Sequence, residues 1–131
     1  MSSKHETLIK SMLIDLLEQQ RIDRVTDYFT EDALLMINNT RLVGIKAILQ
    51  RLAWIRDNQP ALKLSIKRVF FNGDEGFEHH ESEATNDQGE TICFKLFSFI
   101  QMRDDKVCRY EVVAIQTIGQ GDIGVTTAIN V

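Results

Sequence analysis

The spacing of apolar residues changes once along this chain, near Pro60, and that change limits the fold more than any other feature. Before Pro60, apolar residues recur every three or four positions, which is the period of a helix face. After it, apolar and polar residues alternate, which is the period of a β-strand with two unlike faces. Helices followed by strands predict the α+β class of fold.

The helical part predicts three helices, at residues 6–20, 21–29 and 45–56, with a short strand at 33–37 turning through Asn38-Asn39. Four alternating stretches follow, at 62–71, 77–85, 90–102 and 107–117. The loops between them are short and rich in Asn, Asp and Gly, so neighbouring strands form antiparallel hairpins. We therefore expect a curved antiparallel sheet with the N-terminal helices packed on its concave face.

The length of 131 residues fits one domain. We expect that domain to span residues 1–131, with a core at 5–118. The last segment, 119–131, is punctuated by glycine and has no hydrophobic period, so we expect a loosely ordered tail.

Composition excludes several classes of function. Apolar residues make up 44% and charged residues 26%, as in soluble globular proteins. The net charge of −4 argues against a nucleic-acid partner, because no basic stripe is available to neutralise phosphates. The N-terminus lacks the pattern of a signal peptide, and no apolar run is long enough to span a bilayer. We expect a cytoplasmic protein without a membrane partner.

The loop positions also predict which side chains share a face of the sheet. Loops at 73–74, 86–89 and 104–105 turn the alternate apolar residues of 62–71 and 90–102 toward the helices. The same register places a minority of polar side chains on that concave face: Arg68, His79, Glu81, Ser98 and Glu111. An apolar hollow with a few converging polar groups is typical of a small-molecule site.

His79 and Glu81 are the strongest acid/base candidates on this register. Two positions apart on one strand, they share a face about 7 Å apart, and a histidine near a carboxylate titrates in the working range of pH. Arg68 beside them would clamp an oxyanion or carboxylate, and Glu111 would orient His79 or accept the hydroxyl proton of Ser98. The alternative interpretation is a salt-bridge network at the rim of the sheet, with Ser98 in an ordinary buried hydrogen bond.

A metal site is not expected. His79 and His80 are adjacent on a strand and point to opposite faces, so they cannot chelate one ion without a bulge. Neither Cys93 nor Cys108 has a second cysteine at the spacing of a zinc site, and the register holds the two thiols too far apart for a disulfide. No cofactor is implied.

The opposite face of the sheet carries an apolar patch that a monomer would not leave exposed. On the predicted register its members are Phe97, Phe99, Tyr110 and Val112. A twofold homodimer through this patch is the natural interpretation.

Local motifs add a resemblance to a known superfamily. The segment Phe29-Thr30-Glu31-Asp32-Ala33 is similar to the aromatic, acidic and alanine residues that begin the first strand of nuclear transport factor 2-like proteins, and Gly44 stands before the third helix as it does there. The resemblance covers roughly residues 5–118 and includes SnoaL-like and steroid-isomerase-like proteins. It implies a cone with a deep pocket between sheet and helices, often in a dimer through the outer sheet face.

The chain departs from that superfamily where steroid-isomerase-like members carry their chemistry. A catalytic carboxylate would follow Ala33 within a few residues and a tyrosine would lie in the first helix, but this chain has Asn38 after its strand and no tyrosine there. Asn38 offers a hydrogen bond but no base. Tyr28 and Trp54 would line the pocket mouth, or pack in the core.

Two functions therefore remain open. The first is binding of a small, largely apolar molecule in a cone-shaped pocket, with acid/base chemistry of the SnoaL-like isomerase, cyclase or hydratase type. The second is a dimeric ligand-binding or protein-interaction module without catalysis. The sequence leaves open whether the protein is an enzyme.

Overall fold

The computed structural model describes residues 2–59, 61–86 and 88–118 of the chain. Helical segments come first, and a curved sheet of six strands follows them, with two of the strands inserted before the last helix. This is the α+β organisation that the change of period predicts. Pro60 and the predicted tail, 119–131, lie outside the described residues.

All three predicted helices are present, although the second is much reduced. Helix α1 covers Ser2–Leu13 and continues as a widened π-helical turn through Ile14–Glu18. A 3₁₀ turn at Ile22–Arg24 leads into α2, which is one turn long at Val25–Tyr28. Helix α3 covers Ile45–Asn58.

Six strands form one sheet, in the order β2-β1-β6-β5-β4-β3. Their bounds are β1 Phe29–Ile37, β2 Thr40–Val43, β3 Lys63–Asn72, β4 Glu75–Thr85, β5 Thr91–Arg103 and β6 Lys106–Ile118. Strands β3 to β6 follow the four predicted stretches closely, β1 begins earlier than its prediction, and β2 follows the predicted turn at Asn38-Asn39. The pair β1 and β6 is parallel, whereas every other neighbouring pair is antiparallel, so the sheet is not antiparallel throughout.

The core lies between the inner face of the sheet and the helical segments. Helix α1 and its π-turn contribute Ile9, Met12 and Leu16, and α3 contributes Ile48 and Leu52, at the spacing of one helix face. The sheet contributes large apolar residues, among them Phe94, Leu96, Ile100, Val107 and Val112. Among the described residues, no helix has both the length and the apolar character needed to cross a membrane.

The predicted facing of β4 is wrong, because the loop before β5 is one residue longer than expected. Thr85 pairs with Thr91, and the Asn86 side-chain Oδ1 accepts the backbone N–H groups of Gln88 and Glu90, which closes a five-residue connection. Since the side-chain period of a strand is two, one extra residue turns every side chain of β4 to the other face. The inward residues of β4 are Gly76, Glu78, His80, Ser82 and Ala84.

Single-residue bulges cause the remaining differences in register. Lys67 is the extra residue in β3, so Leu64 and Ile66 point inward as predicted but Arg68 does not. Cys108 is the extra residue in β6, where the hairpin still pairs Arg103 with Lys106 as predicted. Beyond the bulge, β6 turns Tyr110, Val112 and Ala114 inward, and only β5 keeps its predicted facing over its whole length.

The outer sheet face carries a contiguous apolar surface across β3 to β6. We name it the outer aromatic patch, and its members are Phe70, Phe77, Phe97, Phe99 and Val113. Phe97 and Phe99 lie on the outer face as predicted. The same prediction is wrong for Tyr110 and Val112, which are buried on the inner face.

The register of β3 and β4 can be tested at Gly76, which pairs with Phe71. An added Cβ there would lie 2.5 Å from the Phe70 carbonyl oxygen and 2.6 Å from the Phe71 ring. We expect Gly76→Ala to lower the free energy of unfolding by about 1–3 kcal/mol, because the backbone must move to admit the methyl group. Denaturant unfolding measures this, with Glu75→Ala, an exposed neighbour, as control. A loss no larger in Gly76→Ala than in the control contradicts the pairing.

Candidate functional site

A cavity lies between the inner sheet face and the helices. About 790 Å³ in and around it is free of protein atoms, a volume that includes solvent at its open side. Every layer of the fold lines it, from Leu16 in the π-turn and Leu52 in α3 to Leu35, Leu96 and Val112 in the sheet. Nearly all of the wall is apolar. The polar side chains in it are Arg51, Gln59, His80, Ser82 and Tyr110.

Two of these polar side chains, His80 and Tyr110, contact a buried carboxylate, Glu78. The side chain of Glu78 has no exposed surface, and three groups donate hydrogen bonds to it. His80 Nδ1 lies 2.7 Å and 3.0 Å from the two carboxylate oxygens, Ser98 Oγ donates at 2.7 Å, and the Tyr110 hydroxyl donates to Oε2. Burial of a carboxylate without such partners would cost several kcal/mol, so these donors hold it in place.

The sheet register brings the four residues together. Glu78 and His80 are two positions apart on β4 and therefore share the inner face, and Glu78 pairs with Ser98 on β5. Tyr110 reaches the carboxylate from β6, two strands away from β4. Burial, and next the charge of Glu78, raise the pKa of Tyr110 well above its ordinary value, so Tyr110 remains a donor.

Glu78 holds the His80 ring by Nδ1, and the second ring nitrogen is unpaired among the described residues. Because Glu78 accepts from Nδ1, the proton of the neutral ring is on Nδ1, and Nε2 is left as an acceptor. Nε2 is buried and has no hydrogen-bond partner among the described residues. A carboxylate that orients a histidine whose other nitrogen is unpaired is the arrangement of a general base.

Gln59 supplies the other unpaired polar group. It follows α3 directly, it is 1% exposed, and neither Oε1 nor Nε2 of its side chain has a partner among the described residues. Its backbone is fully used: the N–H donates to Ile55, and the carbonyl accepts from Gln20 Nε2 and the N–H of Leu62. The residues that line the cavity thus include two with buried, unpaired polar atoms, Gln59 and His80.

Comparison with models of protein families shows to which family the chain belongs. The family model of the SnoaL-like domain matches residues 11–110, which include α3 and most of the sheet. The chain belongs to the SnoaL-like family. No protein among those with curated descriptions matches the sequence significantly.

Solved structures share the fold of this SnoaL-like domain at low sequence identity. A protein named as a SnoaL-like polyketide cyclase from Jannaschia sp. CCS1 is 15% identical, with a TM-score of 0.75 over 98% of this chain and 92% of that one. An LEH-like epoxide hydrolase of M. tuberculosis is 11% identical, with a TM-score of 0.74 over 87% and 84%. A protein named as a ketosteroid isomerase from Kribbella flavida is 13% identical, with a TM-score of 0.69 over 92% and 84%. These likenesses establish the nuclear transport factor 2-like cone fold.

Three residues that the sequence predicts in the pocket of this SnoaL-like domain lie on the outer sheet face instead. Arg68 Nη1 is 2.8 Å from His79 Nδ1, and the His79 ring stacks on Phe97 at 4.4 Å between centroids. Glu81 Oε2 is 3.9 Å from His79 Nε2. The proximity of His79, Glu81 and Arg68 is therefore confirmed, but their predicted facing is wrong, because the longer loop before β5 turns β4 over.

Ser98 and Glu111 were expected to face each other on the concave side. Ser98 does point inward, and it donates to Glu78 in the buried network. Glu111 lies on the outer face, where it pairs with Phe99 across the strands and accepts a hydrogen bond from Arg109. The predicted contact between the two is wrong because the bulge at Cys108 shifts β6 by one residue.

Tyr28, Trp54 and Asn38 do not line the cavity. The Tyr28 hydroxyl donates to Asp15 and ties α2 to the π-turn, and Trp54 packs on a small cluster at the end of α3. Asn38 adopts a left-handed backbone conformation, φ 51°, in the β1–β2 turn. Its side-chain Oδ1 accepts the backbone N–H of Ala114 at 2.9 Å, so it joins this turn to β6.

Metal binding has no support in the described part of the chain, which contains no group of three or more His, Cys, Asp or Glu side chains able to hold an ion. Cys93 and Cys108 are free thiols, as expected.

The two tyrosines of this domain should titrate abnormally. Burial, with a further contribution from the hydrogen bond to Asp15, raises the pKa of Tyr28 to about 12, and burial with the charge of Glu78 raises the pKa of Tyr110 well above its ordinary value. Tyrosines of the unfolded chain ionise near pH 10, so above about pH 10 the native state binds more protons than the unfolded state. Stability should therefore fall as pH rises through about 10 to 12.

Near-ultraviolet absorbance of phenolate measures the titration, and circular dichroism shows whether the fold is intact. We expect no phenolate signal near pH 10 while the protein is folded. Ionisation of Tyr110 at about pH 10 in the folded state contradicts the buried network, and ionisation of Tyr28 at that pH contradicts its contact with Asp15. Tyr28→Phe isolates the signal of Tyr110.

Proposed function

We propose that this SnoaL-like domain binds a small, largely apolar molecule in its cavity and transfers a proton to or from it through His80. The observation that carries the proposal is the His80 ring: Nδ1 is bound to buried Glu78, and buried Nε2 has no partner among the described residues. The apolar wall would hold the hydrocarbon part of the ligand, and His80 Nε2 would accept a proton from its acidic group.

Each residue of the network has a distinct part in the proposed step. His80 Nε2 is the general base and, once protonated, the acid that returns the proton. Glu78 is a positioning residue that keeps the ring in the required tautomer and stabilises the imidazolium that forms. Ser98 and Tyr110 donate to Glu78 and hold the carboxylate in place. Glu78 is not itself the base, because all three donors occupy its oxygens.

The structural relatives support a carbon acid as the substrate class. Their names include a polyketide cyclase and a ketosteroid isomerase, whose named substrates are carbonyl compounds. A ketone has weakly acidic hydrogens beside its carbonyl, and removal of one by a histidine held in an apolar cavity is a proton transfer that this arrangement could support. The reaction class proposed is therefore isomerisation or cyclisation through an enol or enolate.

A second candidate is ligand binding without catalysis. The composition of the cavity wall favours it, because His80 is the only histidine, aspartate or glutamate among the described lining residues. Those lining residues therefore offer no second imidazole or carboxylate for a two-group mechanism. The experiment below separates the two candidates.

Deuterium exchange into 2-tetralone, a bicyclic ketone with acidic hydrogens beside its carbonyl, tests the proposal. In heavy water, wild-type protein should accelerate exchange above the buffer rate, as followed by proton NMR. His80→Gln should reduce that acceleration by about 10²–10⁴-fold, because it removes the base but keeps a polar side chain of similar size.

His79→Gln is the matched control, since His79 lies on the outer face and should leave exchange unchanged. Loss of exchange in His79→Gln but not in His80→Gln contradicts the proposal. If 2-tetralone binds, as seen by chemical-shift changes, but exchange equals that of buffer, the non-catalytic candidate is correct. Absence of binding by 2-tetralone and by other bicyclic ketones contradicts both candidates.

We also propose that two copies of the chain associate through the outer aromatic patch. Phe70, Phe77 and Phe99 are paired across β3, β4 and β5, and Phe77 is 60% exposed although its ring contacts Phe99. Phe97 pairs with Val113 on the neighbouring strands. A contiguous aromatic surface of this kind usually marks an association site, and pairing of like surfaces gives a closed twofold dimer.

Sedimentation velocity tests the association. We expect wild-type protein to be dimeric and Phe77→Lys to be monomeric, because a charge in the centre of the patch opposes its burial. Val43→Lys is the matched control, since Val43 is similarly exposed but lies on β2 at the far edge of the sheet. A monomeric wild type, or a dimer that survives Phe77→Lys, contradicts the proposal.

A further inference from the structure

The side chain of Gln59 is placed where the fold makes no use of it. Its backbone ends α3 through the hydrogen bond to Ile55, and the Gln20 side chain and the Leu62 N–H satisfy its carbonyl. The amide group takes no part in these contacts. Both of its polar atoms are buried without a partner among the described residues, in a wall that is otherwise almost entirely apolar.

Such a placement lowers the stability of the protein when no ligand is bound. Burial of an unpaired amide in apolar surroundings is unfavourable, and an apolar side chain of the same length would pack there without that cost. By contrast, the amide of Gln20 lies near the same helix end and does have a partner, the carbonyl of Gln59 itself. The chemistry of the Gln59 amide points to a partner that is not part of the fold.

We infer that Gln59 is the specificity-determining residue of the cavity, and that it selects ligands in which a hydrogen-bond donor and an acceptor stand side by side on an apolar skeleton. A primary amide offers one acceptor oxygen and a donor nitrogen in one plane, so it pairs by two hydrogen bonds with a cis-lactam or an α-hydroxy ketone. The inference rests on the proposed function, because it assumes that the cavity is the ligand site. It adds the class of polar group that the ligand presents to the Gln59 amide.

The role of Gln59 is separate from that of His80. His80 Nε2 is a lone acceptor and can take a proton, whereas an amide neither gives nor takes one at ordinary pH. Loss of the Gln59 amide should therefore change which ligands bind without removing the base. A site that hydrogen-bonds a ligand group rejects the analogue that lacks it, because its own polar atoms are then left unpaired.

Two probes of matched shape test the inference: 2-quinolinone, which carries the N–H and C=O of a cis-lactam, and naphthalene, which carries neither. Two hydrogen bonds predict that wild-type protein binds 2-quinolinone roughly 5- to 100-fold more tightly than naphthalene. N-Methyl-2-quinolinone, which lacks the donor, should lose most of this preference. Affinities are measured by NMR titration.

Gln59→Met keeps the length of the side chain and removes both hydrogen-bonding atoms, so the ratio of the two affinities should fall to near one. Gln88→Met, at an exposed position in the β4–β5 loop, is the matched control and should keep the wild-type ratio. A preference that survives Gln59→Met, or a wild type that binds both probes equally, overturns the inference while leaving the proposed function intact. If neither probe binds, the inference fails, and the proposed function is decided separately by the binding and exchange of 2-tetralone.

Thermal unfolding gives a readout that needs no ligand. Gln59→Met should melt at or above the wild-type temperature, because it removes an unpaired buried amide. Gln20→Met, which loses a hydrogen bond made within the fold, should melt lower. A melting temperature for Gln59→Met several degrees below that of wild type shows that the amide is paired inside the protein, and this outcome also overturns the inference.

Discussion

The carboxylate of Glu78 lies inside the molecule, and the architecture of the site depends on the three donors that make this possible. His80 shares its strand, Ser98 lies on the neighbouring strand and Tyr110 on the next, so the network joins β4, β5 and β6. Removal of any one donor leaves a buried charge less well compensated, which is far more costly than the loss of a surface ion pair. The same contacts that allow the burial also fix the tautomer of His80. Stability and proposed chemistry therefore rest on one set of hydrogen bonds.

The α+β fold is predicted by features that can be read directly from the sequence. The change from helical to alternating period near Pro60 marks the α+β division, and short Asn-, Asp- and Gly-containing loops mark the hairpins. The facing of β4 and β6 depends instead on single residues. Alternation within residues 77–85 suits either face equally, since Phe77 stands in one set and Ala84 in the other. A five-residue loop and bulges at Lys67 and Cys108 decide the matter, and none of these has a distinctive local signal.

One signal in the sequence does favour the observed facing. Tyr110, Val112 and Ala114 alternate as an inward-facing strand should, whereas Arg109 and Glu111 are charged. This pattern predicts the observed facing of β6, whereas the residues of β4 have no comparable pattern that indicates their facing. Gln59 could not be found in this way. Nothing in its neighbours in sequence indicates that the Gln59 amide is buried without a partner, because that burial depends on residues distant in sequence, such as Leu16 and Leu64 in the same cavity wall.

The adjacent histidines show why the site needed three-dimensional information. His79 and His80 each have a glutamate two positions away on the same face, so either facing of β4 produces a histidine–carboxylate pair. Their environments differ completely. His79 stacks on Phe97 beside Arg68 on the outer face. His80 has the buried Glu78 carboxylate on Nδ1 and lines the apolar cavity between sheet and helices. The choice of which histidine–carboxylate pair reaches this cavity depends on one residue of loop length.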